Sequence, residues 1–430
     1  MKKKIEINYN LKPGPSIVDA LPKIKWYFSK KIWITIAIIV IVFGLPLLWI
    51  HFLYPTTSPF KAISYMNYHR THPHQNLEKR TIGFAPSWQL DKMQNVRLDL
   101  LTDVIYFSLS VDDQGNFAKK NSKGEDDSGW IAWNKAPAND LLAKTQIMGG
   151  QTGLTISVLN NDKIKTFLSS DTNEINLINA TVEQIKHKHL NLINLDFEYT
   201  GEPPEDLPAK FTDFVSKMKQ ELNSKTPGTE LDINLMARSG RSPGLFEIEK
   251  LSSSVDRFIV MSYDYYTAGS DSAGPVAPMN GYTNKKYFFD VSTTYSDLIK
   301  LISPNKIIMG IPYYGYDWPV KDKNNPRSLA LAQSDSNGYV ETLSYGRARQ
   351  DAIFSGENCH FDDLAQEPWC GYIDPETGKD RIAWFEDNQS IQAKYDFAKN
   401  QNLAGIAIWT LSYDRDYPDL WEIMKQTFVK

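Results

Sequence analysis

Cysteine is nearly absent from this 430-residue chain, which contains only Cys359 and Cys370. A thiolate metal site therefore has too few ligands, and no metal or other cofactor is expected. No surplus of one charge exists either, because 47 Lys and Arg stand against 51 Asp and Glu. No His-Glu-x-x-His motif and no Walker-type loop occur, so the common metalloprotease and nucleotide-binding signatures are missing. Internal repeats and long low-complexity tracts are absent too. The remaining composition, 42% hydrophobic and 23% charged, excludes wholesale disorder.

One long apolar run is present. Residues 32–54 (IWITIAIIVIVFGLPLLWIHFLY) hold no Lys, Arg, Asp or Glu. At about 1.5 Å per residue, such a helix crosses a hydrocarbon core about 30 Å thick. Trp33 and Trp49 lie near its ends, where amphipathic rings favour the membrane interface. Residues 1–31 carry eight lysines against Glu6 and Asp19, a surplus of six, so the rest of the chain sums to −10 of the overall −4. This acidic body is unsuited to nucleic acid. The basic head, by the positive-inside rule, points to a cytoplasmic N-terminus and an extracytoplasmic remainder. The run exceeds the h-region of a signal peptide and no A-x-A site follows it, so a single-pass signal-anchor is expected. In an oxidising compartment the two cysteines, eleven apart, are candidates for a local disulfide.

Residues 55–78 show no clear period and read as a linker, which includes His69, His72 and His74. These histidines read as parts of a polar tether in preference to a metal site. From residue 79 to 430, short apolar runs alternate with helical stretches. The runs are 81–85, 104–109, 154–159, 190–197, 231–237, 257–262, 306–311 and 405–409. Several lack polar alternation, as parallel strands covered by helices do. Eight strand-then-helix units predict an α/β fold, a (β/α)₈ TIM barrel. The long gap between the seventh and eighth runs predicts an inserted α+β subdomain over residues 319–381.

The fourth run carries the chemistry. In Leu190-Asn-Leu-Ile-Asn-Leu-Asp-Phe-Glu-Tyr199, alternation sends Ile193, Leu195 and Phe197 outward and Asn194, Asp196 and Glu198 into the barrel. The stack ends at the C-terminal edge of the strand, where barrel active sites lie. Burying carboxylates is costly, and two on one face push their pKa values apart, so one can hold a proton while the other ionises. By contrast, Gly240-Arg-Ser-Pro-Gly244 matches G-x-S-x-G but is rejected as a serine nucleophile. The residue after the serine must donate an amide N–H to the oxyanion hole, and Pro243 has none.

Asn191–Glu198 (N-L-I-N-L-D-F-E) resembles the D-G-x-D-x-D-x-E signature of family-18 glycoside hydrolases, the chitinase family. It departs at Asn191 and Leu192, and Asn194 replaces the inner Asp. Further segments resemble the family in order: Gly83–Trp88 on the first strand, Met261-Ser-Tyr-Asp264 on the sixth, Met309–Gly315 on the seventh and Gly405–Trp409 on the eighth. Asn194, the Tyr314–Trp318 run and Trp384–Asp387 are similar to the bacterial spore-cortex N-acetylglucosaminidase branch.

The resemblance implies hydrolysis of β-1,4-linked N-acetylglucosamine glycans, of peptidoglycan or chitin type, by a retaining, substrate-assisted mechanism. Glu198 would be the acid and base, and Asp196 would orient the substrate acetamide. Tyr263 would donate to its oxygen, and Asn194 would be a hydrogen-bond partner for Asp196, letting Asp196 ionise more readily than an inner Asp would. Asp264, Met261, Trp88, Tyr314 and Tyr316 would bind sugar, with Trp409 as the apolar floor. Half of the strand-end aromatics Tyr265, Tyr266, Tyr313, Tyr314, Tyr316 and Trp318 are expected to stack on sugar and half to pack beneath loops. The alternative class is a non-catalytic, lectin-like envelope protein on the same barrel.

Overall fold

A computed structural model describes residues 30–430, so the basic segment 1–31 falls outside it except for its last two residues. The chain divides into two compact units, residues 1–53 and 54–430. In the first, Ile32–Leu53 is one apolar helix of 22 residues, long enough to cross a membrane. Its middle widens into a π-turn at Val40–Gly44, where Leu45 N–H reaches back to Val40 O. Pro46 follows at once; its ring has no N–H and crowds the carbonyl four residues back, and the wider turn absorbs that conflict.

The second unit opens with a helix, Pro59–Thr71, inside the segment expected to be a linker. Ser58 caps it, and Thr57 and Lys61 both bind Asp140 on the helix Ala136–Ile147, at 2.7 and 2.5 Å. Its only buried residue is Ala62, so the helix is held by a cap and polar contacts, and no apolar period betrays it. His72 stacks on Tyr68, and His74 bonds the carbonyl of Leu101.

Each expected run is a strand, with ends shifted by at most three residues. The strands are β1 (Arg80–Pro86), β2 (Asp103–Ser110), β3 (Gln151–Val158), β4 (Leu192–Phe197), β5 (Glu230–Met236), β6 (Arg257–Met261) and β7 (Ile307–Pro312). An inserted sheet follows, made of β8 (Tyr314–Pro319), β9 (Glu341–Ser344), β10 (Cys359–Asp362), β11 (Glu367–Ile373) and β12 (Asp380–Trp384). Then β13 (Gly405–Trp409) returns to pair in parallel with β1 and β7, closing an eight-stranded parallel barrel. Ile193, Leu195 and Phe197 face the helices Asp171–Lys188 and Leu207–Lys225 in the outer apolar layer, while Ile82, Phe84, Ile105, Leu192, Ile259, Ile308 and Ala407 fill the interior. The N-terminal end of the barrel is closed by ions. Arg80 binds Asp103 and Glu230, and Arg257 binds Glu230 and Asp232, at 2.5–3.1 Å. Ion pairing at that face supports the barrel and leaves the opposite face for chemistry.

The insertion is an antiparallel sheet ordered β10-β11-β12-β8-β9, and it begins at Tyr314 and ends at Trp384, wider than the expected 319–381. Only Tyr313 separates β8 from β7. The Tyr314–Trp318 run is therefore the first strand of the insertion. Cys359 and Cys370 sit opposite each other on β10 and β11 and form a disulfide. Glu367 on β11 accepts the amides of Val276 and Ala277 at 2.9 and 2.7 Å and pairs with buried Lys394, which also binds Glu386. This buried network ties the insertion to the loop after β6 and to the helix Asn388–Asn400.

Candidate active site

At the C-terminal ends of the strands lies a cleft of about 520 Å³. Six of the expected site residues line it: Asp196, Glu198 and Tyr263 of the catalytic set, and Met261, Asp264 and Trp409 of the sugar-binding set. Alternation along β4 turns Asp196 inward, and only 1% of it is exposed. Its Oδ1 accepts 2.9 Å from Asn234 Nδ2 on β5. Glu198, one residue beyond β4, is half-buried above it.

The expected bond from Asn194 to Asp196 is not formed. Asn194 Nδ2 instead donates to Thr155 Oγ1 on β3 at 3.2 Å, and its Oδ1 is buried with no hydrogen-bond partner. A side chain two residues away on the same strand is one pleat below, whereas Asn234 comes across from the neighbouring strand. The signal for Asn234 lay in β5 itself: Leu231-Asp-Ile-Asn-Leu repeats on β5 the polar alternation that marks β4.

Burial raises all three carboxylates. Asp196 is pushed up to about 7 by burial first and the charge of Glu198 second, with the Asn234 bond opposing both. Glu198 is raised by burial and then by the charge of Asp264. Asp264 faces the open cleft, yet the surrounding walls raise it too, against the hydrogen bonds from Tyr314 and Tyr316. Asp196 and Glu198 titrate as a pair, so near neutrality a proton is retained between them. The Tyr263 hydroxyl, buried beside these acids, is held well above 10 and stays a donor. Gly310 on β7 makes room for that ring, since a Cβ there would stand 2.4 Å from Val260 O and 2.9 Å from the Tyr263 ring.

The aromatic expectations divide by what each ring touches. Trp409 lines the cleft, braced edge-on by Phe107 at 4.6 Å and Phe84 at 5.7 Å. Met261 lines the same cleft. Trp88 stands at the rim, 58% exposed, 6.4 Å from Trp409. Tyr314 and Tyr316 do not line the cleft; their hydroxyls donate to Asp264 Oδ1 at 2.6 and 3.0 Å and hold it from behind. Tyr313 and Trp318 are fully buried, and Tyr266 packs on Tyr287 and Phe288. Tyr265 lines the cleft while bonding Thr294. Sequence reasoning missed Phe84, Phe107, Phe288 and Arg238, all of which line the cleft. Phe107 lies inside the apolar run of β2, where nothing sets it apart from its neighbours, and Phe288 lies in a loop.

Asp264 adopts φ 59°, a left-handed backbone that Asp tolerates better than most residues. Among the described residues no cluster of His, Cys, Asp and Glu could hold a metal ion, and no cation pairs with Asp196, Glu198 or Asp264. The arrangement can store a proton at neutral pH, present it to a ligand in the cleft, and accept one back.

Comparison with known proteins agrees with this architecture. The cortical fragment-lytic enzyme of Bacillus subtilis (strain 168) is 25% identical over 291 residues, 66% of this chain and 60% of that enzyme. The chain spans 56–60% of the length of this and two other Bacillus relatives. The spore cortex-lytic enzyme SleL of Bacillus megaterium QM B1551 superposes with a TM-score of 0.64 at 21% identity, over 82% of this chain and 75% of SleL. A chitinase of Cycas revoluta, solved with (GlcNAc)3, gives 0.65 at 19% identity, over 81% of this chain and 99% of the chitinase. These two likenesses are of fold. The model of the family described as glycosyl hydrolases family 18 matches residues 80–414, from the first barrel strand to the loop beyond the last. The chain belongs to glycosyl hydrolase family 18.

Proposed function

We propose that this protein is a membrane-anchored glycosidase that cleaves β-1,4-linked N-acetylglucosamine-containing glycans with help from the substrate's own acetamide. The observation that carries the reading is the pair Asp196 and Glu198, raised by burial at the base of a cleft with Tyr263 and Trp409. Glu198 gives its proton to the glycosidic oxygen as the C1–O bond breaks. The acetamide oxygen closes on C1 in place of a protein nucleophile, forming a cyclic oxazolinium. Asp196 accepts the acetamide N–H and stabilises the positive charge; Tyr263 donates to the acetamide oxygen and orients it for attack. Glu198, now ionised, takes a proton from water as the water opens the ring at C1. Asp264 binds a sugar hydroxyl, and Trp409 offers an apolar face to the sugar ring.

The B. subtilis relative, a cortical fragment-lytic enzyme, favours a peptidoglycan-type glycan, with chitin-type oligosaccharide as the close alternative. The apolar helix Ile32–Leu53 and the lysine-rich head support an uncleaved anchor with the N-terminus cytoplasmic and the barrel outside. The test uses the full-length protein in mild detergent, beside Glu198→Gln, on chito-oligosaccharides and purified peptidoglycan strands. Release of reducing ends by wild type alone supports the reading. Tight glycan binding by both proteins with no cleavage by either overturns it in favour of a lectin.

A further inference from the structure

The cleft is lined by three carboxylates and a single cation, Arg238, two residues beyond β5. Every other feature of this arginine is that of an unspent cation. Among the described residues its guanidinium has neither an ion pair nor a side-chain hydrogen bond, and its neighbour Arg241 is engaged by Asp297 and by Tyr282. Its guanidinium carbon lies over the ring of Phe289, 5.4 Å from the ring centre. That contact steadies the guanidinium plane without neutralising it. An arginine left in this state offers a planar fork of donors matched to a carboxylate.

Arg238 borders a second hollow as well. This depression, about 240 Å³, shares Thr200, Met236 and Arg238 with the cleft, so these residues form the border between the two. Its far side is formed by Tyr199, Ser239, Ser242 and Pro243. The rejected G-x-S-x-G segment is thus a wall of this depression. Glu202 also lines it and forms no ion pair with Arg238.

We propose that Arg238 is a specificity-determining residue that reads a carboxylate carried by the glycan, at the point where the cleft borders this depression. The proposal rests on the glycosidase reading and deepens it, naming a carboxylate on the glycan as the group that separates the peptidoglycan-type substrate from the neutral chitin-type one. The carboxylate has two chemical sources: an acid ether on the sugar itself, or a peptide attached through that ether.

The test compares wild type and Arg238→Gln, as full chains, on three substrates: a neutral chito-oligosaccharide, a glycan strand of alternating N-acetylglucosamine and N-acetylmuramic acid stripped of peptide, and the same strand bearing peptides. A charge-assisted bond predicts a roughly tenfold to hundredfold loss of kcat/KM on the anionic strands, with the neutral substrate within about twofold. Loss on the stripped strand assigns the sugar's own carboxylate, and loss confined to the peptide-bearing strand assigns the peptide. The wild-type preference should also weaken as salt rises, which a merely structural role would not produce. Equal loss on all three substrates, or no loss on any, overturns the proposal. If wild type cleaves nothing, the glycosidase reading fails separately. Calorimetric titration of the Glu198→Gln protein, with and without Arg238→Gln, then reads the same anionic-against-neutral difference as binding; equal affinities would still overturn the role of Arg238.

Discussion

Asn234→Ala probes the site through a residue that touches no reacting bond. Its amide supplies the hydrogen bond that favours the ionised form of Asp196 against burial and the charge of Glu198. A hydrogen bond to a charged group contributes roughly 1.5–3 kcal/mol. One pKa unit corresponds to about 1.36 kcal/mol, so its loss lifts Asp196 from about 7 by roughly one to two units. The sign follows from the donor: removing a bond to the carboxylate favours the neutral acid, and the pKa rises. Catalysis needs Asp196 ionised while Glu198 keeps its proton. The acidic limb of kcat/KM against pH should therefore move up by about one to two units, with roughly tenfold or greater loss at pH 6. Fluorogenic chito-oligosaccharide turnover from pH 4 to 9 measures it. An acidic limb that stays in place while the rate drops uniformly would refute the reasoning and make Asn234 a packing residue.

Other substitutions follow the same electrostatics. Asn194→Asp places a second carboxylate beneath Asp196 and raises its pKa, so activity should persist with the acidic limb displaced upward; a pH profile identical to wild type would contradict this. Tyr314→Phe removes the 2.6 Å bond to Asp264, and Asp264 should then ionise less readily and hold sugar less firmly. KM should rise several-fold with kcat changed less, read by steady-state kinetics, and a fall in kcat alone would argue otherwise. Asp196→Asn removes a buried acid whose folded pKa lies above its unfolded value near 3.9. Such a group costs stability as pH rises from about 4 through about 7, so the variant should be inactive yet melt on the order of 2 °C or more higher at pH 8, with little gain at pH 4. Thermal unfolding at both pH values decides, and an equal shift at the two would exclude this cause.

The barrel was legible because its strands are buried on both sides and read as uninterrupted apolar runs, and because β4 announces its inner face by alternation. What stayed hidden has physical reasons. The helix Pro59–Thr71 buries one alanine and depends on Asp140, far along the chain, so nothing local marks it. Tyr314 and Tyr316 lie two and four residues after a barrel strand and looked like sugar platforms; the chain turns there into an antiparallel sheet, which aims their hydroxyls at Asp264. Asn194 was credited with a bond that the neighbouring strand supplies, because register between β4 and β5 is a tertiary fact. Arg238 carries no signal in the sequence, since the absence of a partner is visible only once the fold has brought the acids to their places.

Proton NMR on a β-1,4-linked N-acetylglucosamine oligomer tests the account most directly, by following the anomer first released. Wild type should release the β-anomer, as retention through the acetamide requires, and Glu198→Gln should release neither. Initial formation of the α-anomer, or undiminished cleavage by Glu198→Gln, would contradict substrate-assisted hydrolysis at Glu198.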